Sequence, residues 1–463
     1  MQKIKINIKR AATTMTCICL CFIMLVVMVL HNSAVISGVN SELDDIKVKY
    51  ENAEVLKKTV EGAFLDRNNN PITVAEKAGV PAKIQYGESF SHLIGFNSAI
   101  YGLSGLRSRF SEDLFDGGKD GVGAQIKLTV DAELQHYCYD ILNGNEGSCV
   151  VLDSKSGEVL ALASRSSAKT GYEANLIDEK YSTYSKIDSF FYDRSITAFD
   201  PPGSTFKMVT AVSLYQNNMA DITYNDKGVY KTAKAEYHNF GENKYGKINL
   251  ETAMKRSSNT YFCYVTNRLG ANALIKTAKG FMYNEAVKLD FCTLNSNFEL
   301  SNFEDEDLLV QTGFGQGKTL VSPLFLAMQI GAIQNNGALI RPYVVSSVVN
   351  DDKIKYAAGK AFVLNNVGDK KAIAPVYDIL CKTANSYGFK STEDIKIIAK
   401  TGTAELPNDK HTVYMTLGLC ILDGKESREY AICLSLRNVE SSSSILKDRT
   451  KILMDYMIDE YKK

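Results

Sequence analysis

The chain has 463 residues, more than one compact core usually organises. Its composition, 45% hydrophobic and 23% charged, is that of a globular protein and excludes wholesale disorder. Lys plus Arg and Asp plus Glu each number 53, so no basic excess points to a nucleic-acid partner. That balance hides an asymmetry. Lys3, Lys5, Lys9 and Arg10 are the only charges in residues 1–30, which leaves 49 basic against 53 acidic residues in the remainder.

Residues 11–30, AATTMTCICLCFIMLVVMVL, carry no charge over twenty positions. At about 1.5 Å per residue they span about 30 Å, the thickness of a bilayer's hydrocarbon. The basic flank lies before them, so the positive-inside rule makes residues 1–10 a cytoplasmic tail and puts everything after about His31 outside. The expectation is a single-pass plasma-membrane anchor at 11–31 with an extracytoplasmic catalytic part. A cleaved signal peptide is the alternative, but the apolar run is long for one and no small-x-small cleavage site follows. Seven cysteines lie beyond the anchor, an odd number without a CxxC pair or a His cluster, which argues against a disulfide framework or zinc site. Several sit in apolar runs (SCVVL, LGLCIL, YAICLSL) and read as small buried hydrophobes.

Residues 38–60 alternate charges with Leu43, Ile46 and Val48 in a helical pattern, a stalk leaving the membrane. Turn signals at Asn68-Asn69-Asn70-Pro71 and Gly117-Gly118 break up the stretch to 124, so 38–124 reads as a small, irregular N-terminal domain. A second domain, 125–463, opens with a strand (IKLTVD) and a helix (AELQHYCYDIL). GSCVVLDSKSGEVLALAS then predicts a hairpin about Lys155-Ser156-Gly157. The middle, 200–340, reads as mostly helical. Three strands follow (DIKIIAKTGTAEL, TVYMTLGLCIL, YAICLSL), then an amphipathic helix from about Ser444 to Tyr461. Strands at both ends with helices between predict an α+β fold: one central antiparallel sheet flanked by helices, an α/β/α sandwich. No GxGxxG follows a strand and no Walker loop is present, so nucleotide binding has no support.

Three short motifs carry chemistry. In Asp200-Pro201-Pro202-Gly203-Ser204-Thr205-Phe206-Lys207, the Pro-Pro-Gly run stops extended chain and opens a helix. Met208, Ala211, Val212 and Tyr215 then give that helix one apolar face. Ser204 and Lys207, three apart, share a face, and free N–H groups of the first turn can stabilise an oxyanion. A serine hydroxyl needs a base, and a lysine serves if burial and a second cation hold it neutral. The bland alternative is a serine N-cap, and S-x-x-K is expected about once or twice by chance in such a chain. Ser257-Ser258-Asn259 separates two helical runs. It reads either as helix capping or as a proton relay, Ser257, with an amide-binding Asn259. Lys400-Thr401-Gly402-Thr403 follows the strand pattern Ile395–Ala399. Gly402 removes a side chain where another backbone comes close, and the strand can pair with an extended substrate whose carboxylate Lys400 and Thr401 hold. Its bland alternative is a turn after a strand. The three motifs together, in this order and context, are the set of penicillin-binding proteins and class A β-lactamases.

Over nearly its whole length the chain resembles the class B penicillin-binding proteins, monofunctional peptidoglycan D,D-transpeptidases, in their compact form with a short N-terminal domain. DRSITAFDPPGSTFK, GFGQGKTLVSPLFLAMQIGAIQNNGALIRP, VVLDSKSGEVLALAS and SHLIGFNSAIYGLSGLRSRF carry the likeness beyond the motifs. The resemblance implies that Ser204 attacks the bond between terminal D-alanines of a peptidoglycan stem peptide, with Lys207 as base. Ser257 and Lys400 move the proton to the leaving amine, and the N–H groups of Ser204 and Thr403 form the oxyanion hole. It implies acylation of Ser204 by β-lactams, no metal or organic cofactor, and a SEDS-type membrane glycosyltransferase as partner. Ala399 stands where the family often has glycine, and Val413–Thr416 lacks the usual tryptophan and glycine.

Three other readings compete. A class A lactamase needs a deacylating glutamate in an E-x-x-L-N context, and the nearest match, FCTLN at 291–295, begins with Phe291. A D,D-carboxypeptidase would use water in place of the acceptor amine. A scaffold of the wall-synthesis complex would need no intact Ser204, Lys207 and Lys400.

Overall fold

Alternation along the strands builds the architecture. The computed structural model describes residues 58–462, apart from 198–199, 301–304, 425 and 441–442. The expected cytoplasmic tail, the expected anchor at 11–31 and most of the stalk expected at 38–60 lie outside the described residues, and within the described residues no helix is long and apolar enough to cross a membrane. In chain order, β1 (Ala63–Leu65) pairs in parallel with β2 (Gln125–Leu128), and α1 (Ala132–Asp140) follows, capped by the Asp131 carboxylate. The expected hairpin is β3 (Gly147–Asp153) and β4 (Val159–Arg165). Next come α2 (Lys207–Gln216), β5 (Tyr224–Asp226), β6 (Val229–Lys231), β7 (Glu236–His238), β8 (Gly246–Ile248), α3 (Leu250–Arg256) and α4 (Asn259–Leu269). The chain ends with α5 (Pro323–Gln334), β9 (Val345–Asn350), β10 (Lys353–Ala357), α6 (Lys370–Ser386), β11 (Ile395–Glu405), β12 (His411–Asp423), β13 (Glu426–Val439) and α7 (Ser443–Lys462).

The central sheet has the order β11-β12-β13-β3-β4, antiparallel throughout, so distant parts of the chain do meet in one sheet. Its period of two divides the apolar residues between two cores. Cys149, Val151, Ile397, Ala399, Ile432 and Leu434 face α1 and α7, where Leu134, Leu446 and Leu453 meet them. Val150, Leu152, Ile398, Ala431 and Cys433 face the opposite layer, with Met208, Val209, Leu324 and Val376. Cys138, Cys149, Cys263, Cys420 and Cys433 are buried among these apolar residues, and Cys292 and Cys381 are half-buried.

Two expectations need revision. Helix α2 does not bury one stripe: Lys207 through Leu214 are all fully enclosed, because other helices, α4 and α6 among them, pack around it. The middle is also less helical than expected. β5 pairs with β8 and β6 with β7, in a polar stretch where Gly228, Gly241 and Gly246 turn the chain at positive φ.

The segment before β2 is tied to the rest by sheet, and a buried ion pair holds the segment itself together. β1-β2-β9-β10 form one four-stranded sheet. Beside it the buried Glu61 carboxylate accepts from Arg107 Nε at 2.8 Å, the Asn97 side-chain amide at 2.8 Å and Ala82 N–H at 2.9 Å. The other guanidinium nitrogens donate to the carbonyls of Gly95 and Ala82. Every charge in this pair is matched, so removing one partner strands the other in the core. Arg107→Ala is expected to lose about 3–5 kcal/mol of unfolding free energy in denaturant titration. A loss below about 1 kcal/mol, typical of an exposed pair, would contradict the assignment.

Candidate active site

Backbone close-packing brings the three motifs together. Pro202-Gly203 leads into a 3₁₀ turn, Gly203–Phe206, so Ser204 sits on this turn just ahead of α2. Gly203 has φ 55°, and a Cβ there would lie 2.5 Å from the Thr403 carbonyl oxygen. A Cβ on Gly402 would lie 2.7 Å from the Pro202 carbonyl oxygen. Gly402 does admit a close backbone, as expected, and that backbone is the nucleophile's own turn. Lys400 to Thr403 is not a turn after a strand: β11 continues through it, with Lys400 opposite Thr416 and Thr403 opposite Val413 on β12. A third strap completes the clasp. Gly203 N–H donates to the Gly315 carbonyl at 2.9 Å, and the Gln316 side chain donates to the Thr403 carbonyl at 3.3 Å.

The Ser-Ser-Asn motif divides the two roles weighed for it between neighbours. Ser258 caps α4, accepting from Tyr261 N–H at 3.0 Å. Ser257 closes α3 in the left-handed region, φ 54° and ψ 39°, a conformation that costs a β-carbon residue of order 1 kcal/mol. A buried polar knot holds it there. Ser258 Oγ donates to Asp226 Oδ2 at 2.6 Å, Asn239 Nδ2 donates to both Asp226 oxygens at 2.9 Å, and Thr260 N–H donates to Asn239 Oδ1 at 3.1 Å. Sequence reasoning missed Asp226 and Asn239. Their only local signal was a polar, turn-rich stretch.

Ser204, Lys207, Ser257, Asn259 and Lys400 converge. Lys207 is fully buried, with Nζ 2.9 Å from Ser204 Oγ, 2.7 Å from the Ser257 carbonyl oxygen, 2.8 Å from Asn259 Oδ1 and 3.3 Å from Ser257 Oγ. The Asn259 amide is fixed from behind by donating to the His238 carbonyl at 2.9 Å. Lys400, also fully buried, donates to Ser257 Oγ at 3.0 Å, to Tyr387 Oη at 3.3 Å and to the Thr401 carbonyl at 2.9 Å. Neither lysine has a carboxylate partner among the described residues. Burial, and then the charge of Lys400, hold the Lys207 amine well below the usual lysine range.

Those contacts assign hydrogens. A neutral Lys207 amine has two, and the Ser257 carbonyl and Asn259 Oδ1, which only accept, take both. Its lone pair then receives the Ser204 hydroxyl proton. Lys400 has three acceptors, the number an ammonium satisfies. Ser204, Ser257, Asn259, Thr401 and Thr403 are partly exposed while both lysines are enclosed, so hydroxyls face the solvent and charges sit behind them. Thr403 N lies beside Gly203, next to the nucleophile.

The arrangement makes Ser204 reactive only while Lys207 is neutral, that is, above its depressed pKa. Removing the neighbouring cation raises that pKa. Lys400→Leu is therefore expected to move the acid limb of Ser204 modification by a fluorophosphonate to higher pH, read from the rate constant against pH. A limb that stays in place would contradict the coupling.

Comparison with known proteins identifies the family and the fold. Residues 147–452, more than half of the chain, match the family described as penicillin binding protein transpeptidase domain. Penicillin-binding protein 3 of Bacillus subtilis (strain 168) is 24% identical over 398 residues, 84% of this chain and 56% of its own length. Peptidoglycan D,D-transpeptidase MrdA of Haemophilus influenzae is 24% identical over 380 residues, 73% of this chain and 57% of its own length. The chain thus spans less than two thirds of the length of these curated relatives. Among solved structures, the penicillin G acyl-enzyme complex of penicillin-binding protein A from M. tuberculosis superposes with a TM-score of 0.76 at 19% identity, covering 86% of this chain and all of that one, which extends the likeness to the fold. The chain belongs to the penicillin-binding protein transpeptidase family.

Proposed function

We propose that the chain is a serine-type D,D-transpeptidase that cross-links peptidoglycan stem peptides through an acyl-enzyme on Ser204. One observation carries the reading: a buried lysine, Lys207, whose Nζ lies 2.9 Å from the Ser204 oxygen and has two further acceptors, the Ser257 carbonyl and Asn259 Oδ1, for its hydrogens. Ser204 Oγ attacks the carbonyl of the penultimate D-alanine as its proton passes to Lys207. The backbone N–H groups of Ser204 and Thr403 receive the oxyanion. Collapse breaks the C–N bond, and the terminal D-alanine leaves as an amine. Its nitrogen takes a proton through Ser257, which touches both lysines. An amine of a neighbouring stem then attacks the ester, gives up a proton by the reverse route, and restores the Ser204 hydroxyl.

Thr401 and Thr403 hold the substrate's terminal carboxylate, the Lys400 ammonium behind them attracts it by charge, and β11 pairs with its extended main chain. A β-lactam presents the same carboxylate and acyl group. Its ring C–N bond opens on Ser204, and the leaving nitrogen stays tethered. The names of the relatives, a D,D-transpeptidase and a penicillin-acylated protein, support this reading.

The location follows from the first thirty residues. A charge-free run at 11–30 behind a basic flank supports a single-pass anchor with residues 1–10 in the cytoplasm and the site outside. A small N-terminal domain, 38–124, and a transpeptidase domain, 125–463, complete the organisation, and a SEDS-type membrane glycosyltransferase supplies the glycan strands.

The test is acyl transfer itself. Incubated with a pentapeptide ending in D-Ala-D-Ala and an amine acceptor, the full chain in membranes is expected to give the cross-linked peptide and free D-alanine in equal amounts by mass spectrometry. Ser204→Ala is expected to give neither. D-Alanine release without cross-link would replace this reading by a carboxypeptidase, and no turnover in either form would leave only a scaffold.

A further inference from the structure

The Tyr387 hydroxyl, contributed from outside the three motifs, is the third acceptor of Lys400. Tyr387 follows the last residue of α6 and is half-buried there. Its oxygen accepts from Lys400 Nζ at 3.3 Å and from Thr401 Oγ1 at 3.1 Å, so one phenol ties together the two side chains that begin the Lys-Thr-Gly motif. The Lys447 ammonium, on α7, lies 4.8 Å from the centre of its ring. Burial would push this phenol up, yet the Lys400 charge and hydrogen bonds from Lys400 and Thr401 outweigh it, and the net shift is downward. The oxygen is thus set in a cationic, donor-rich surround that strengthens it as an acceptor.

The two lysines pose a choice of where one proton resides. Lys207 and Lys400 both touch Ser257 Oγ, and only the state with Lys207 neutral and Lys400 charged is ready to accept the Ser204 proton. Counted alone, each lysine has enough acceptors to be an ammonium: Ser204 Oγ, the Ser257 carbonyl and Asn259 Oδ1 for Lys207, and Ser257 Oγ, Tyr387 Oη and the Thr401 carbonyl for Lys400. Without the phenol oxygen Lys400 keeps two, the complement of a neutral amine, while Lys207 keeps three. The proton would then move to the wrong lysine.

We propose that Tyr387 is a positioning residue for acylation: by accepting from Lys400 it keeps the proton of the lysine pair on Lys400 and leaves Lys207 free to act as base. This rests on the acyl-transfer reading above. The groups facing the pair are Tyr387, just past α6, and Cys263 on α4, whose thiol burial pushes up and keeps neutral; Lys447 on α7 faces the Tyr387 ring from beyond.

The sign of the effect follows. The alkaline limb of acylation reports loss of the proton that the lysine pair shares, and removing one of the pair's acceptors makes that proton easier to lose. The experiment measures the second-order rate constant for acylation of the full chain by a fluorescent penicillin from neutral to strongly alkaline pH. Tyr387→Phe removes only the oxygen, and Tyr387→Leu removes the ring as well. Both are expected to lower the neutral-pH rate about tenfold and to move the alkaline limb down by about one pH unit, the scale of one hydrogen bond to a charged group. A lowered rate with the limb in its original place would mark Tyr387 as merely structural and overturn the proposal. So would a shift in Tyr387→Leu but not in Tyr387→Phe. An unlabelled wild-type chain would instead defeat the acyl-transfer reading, and this one with it.

Discussion

Two enclosed lysines sharing one serine hydroxyl are the constraint on which the rest of this molecule depends. Lys207 and Lys400 lie behind Ser204 and Ser257 with no carboxylate partner among the described residues, and like charges in a medium that screens poorly cannot both persist. One must be neutral. Their acceptors, backbone and side-chain together, decide which: the Ser257 carbonyl and the Asn259 side-chain oxygen occupy the hydrogens of Lys207, and Ser257 Oγ, Tyr387 Oη and the Thr401 carbonyl encircle Lys400. The base is thus made by its neighbours' geometry and needs no buried acid to orient it.

Such a pair tolerates little movement, and the fold supplies the rigidity in layers. Helix α2 is enclosed on every side, so Lys207 cannot swing outward. The glycines at 203 and 402 let the nucleophile's turn and strand β11 touch backbone to backbone, where a single methyl group would collide. Ser257 is kept in a left-handed conformation by the knot around Asp226, a local cost met by a set of buried hydrogen bonds. Each element alone is ordinary; their mutual fit makes the site.

Much of this was legible in the sequence, and the reason is local periodicity. The hairpin about Gly157, the three C-terminal strands and the last helix follow from alternation and turn residues. The face shared by Ser204 and Lys207 follows from a spacing of three. What stayed hidden depends on contacts between residues far apart. Tyr387 meets Thr401 across a helix end and a loop, and Asp226 meets Ser258 across two hairpins, with no pattern linking them. The helix-capping alternative for Ser257-Ser258-Asn259 holds for Ser258, while Ser257 and Asn259 lie against Lys207. Gly402 was read as admitting another backbone, and the structure identifies that backbone as Pro202, ahead of the nucleophile.

The most direct measurement is the site of covalent attachment. The chain treated with penicillin G, digested and examined by mass spectrometry, is expected to carry one stable adduct, on the peptide containing Ser204. An adduct elsewhere, or none, would contradict the assignment of Ser204 as the nucleophile.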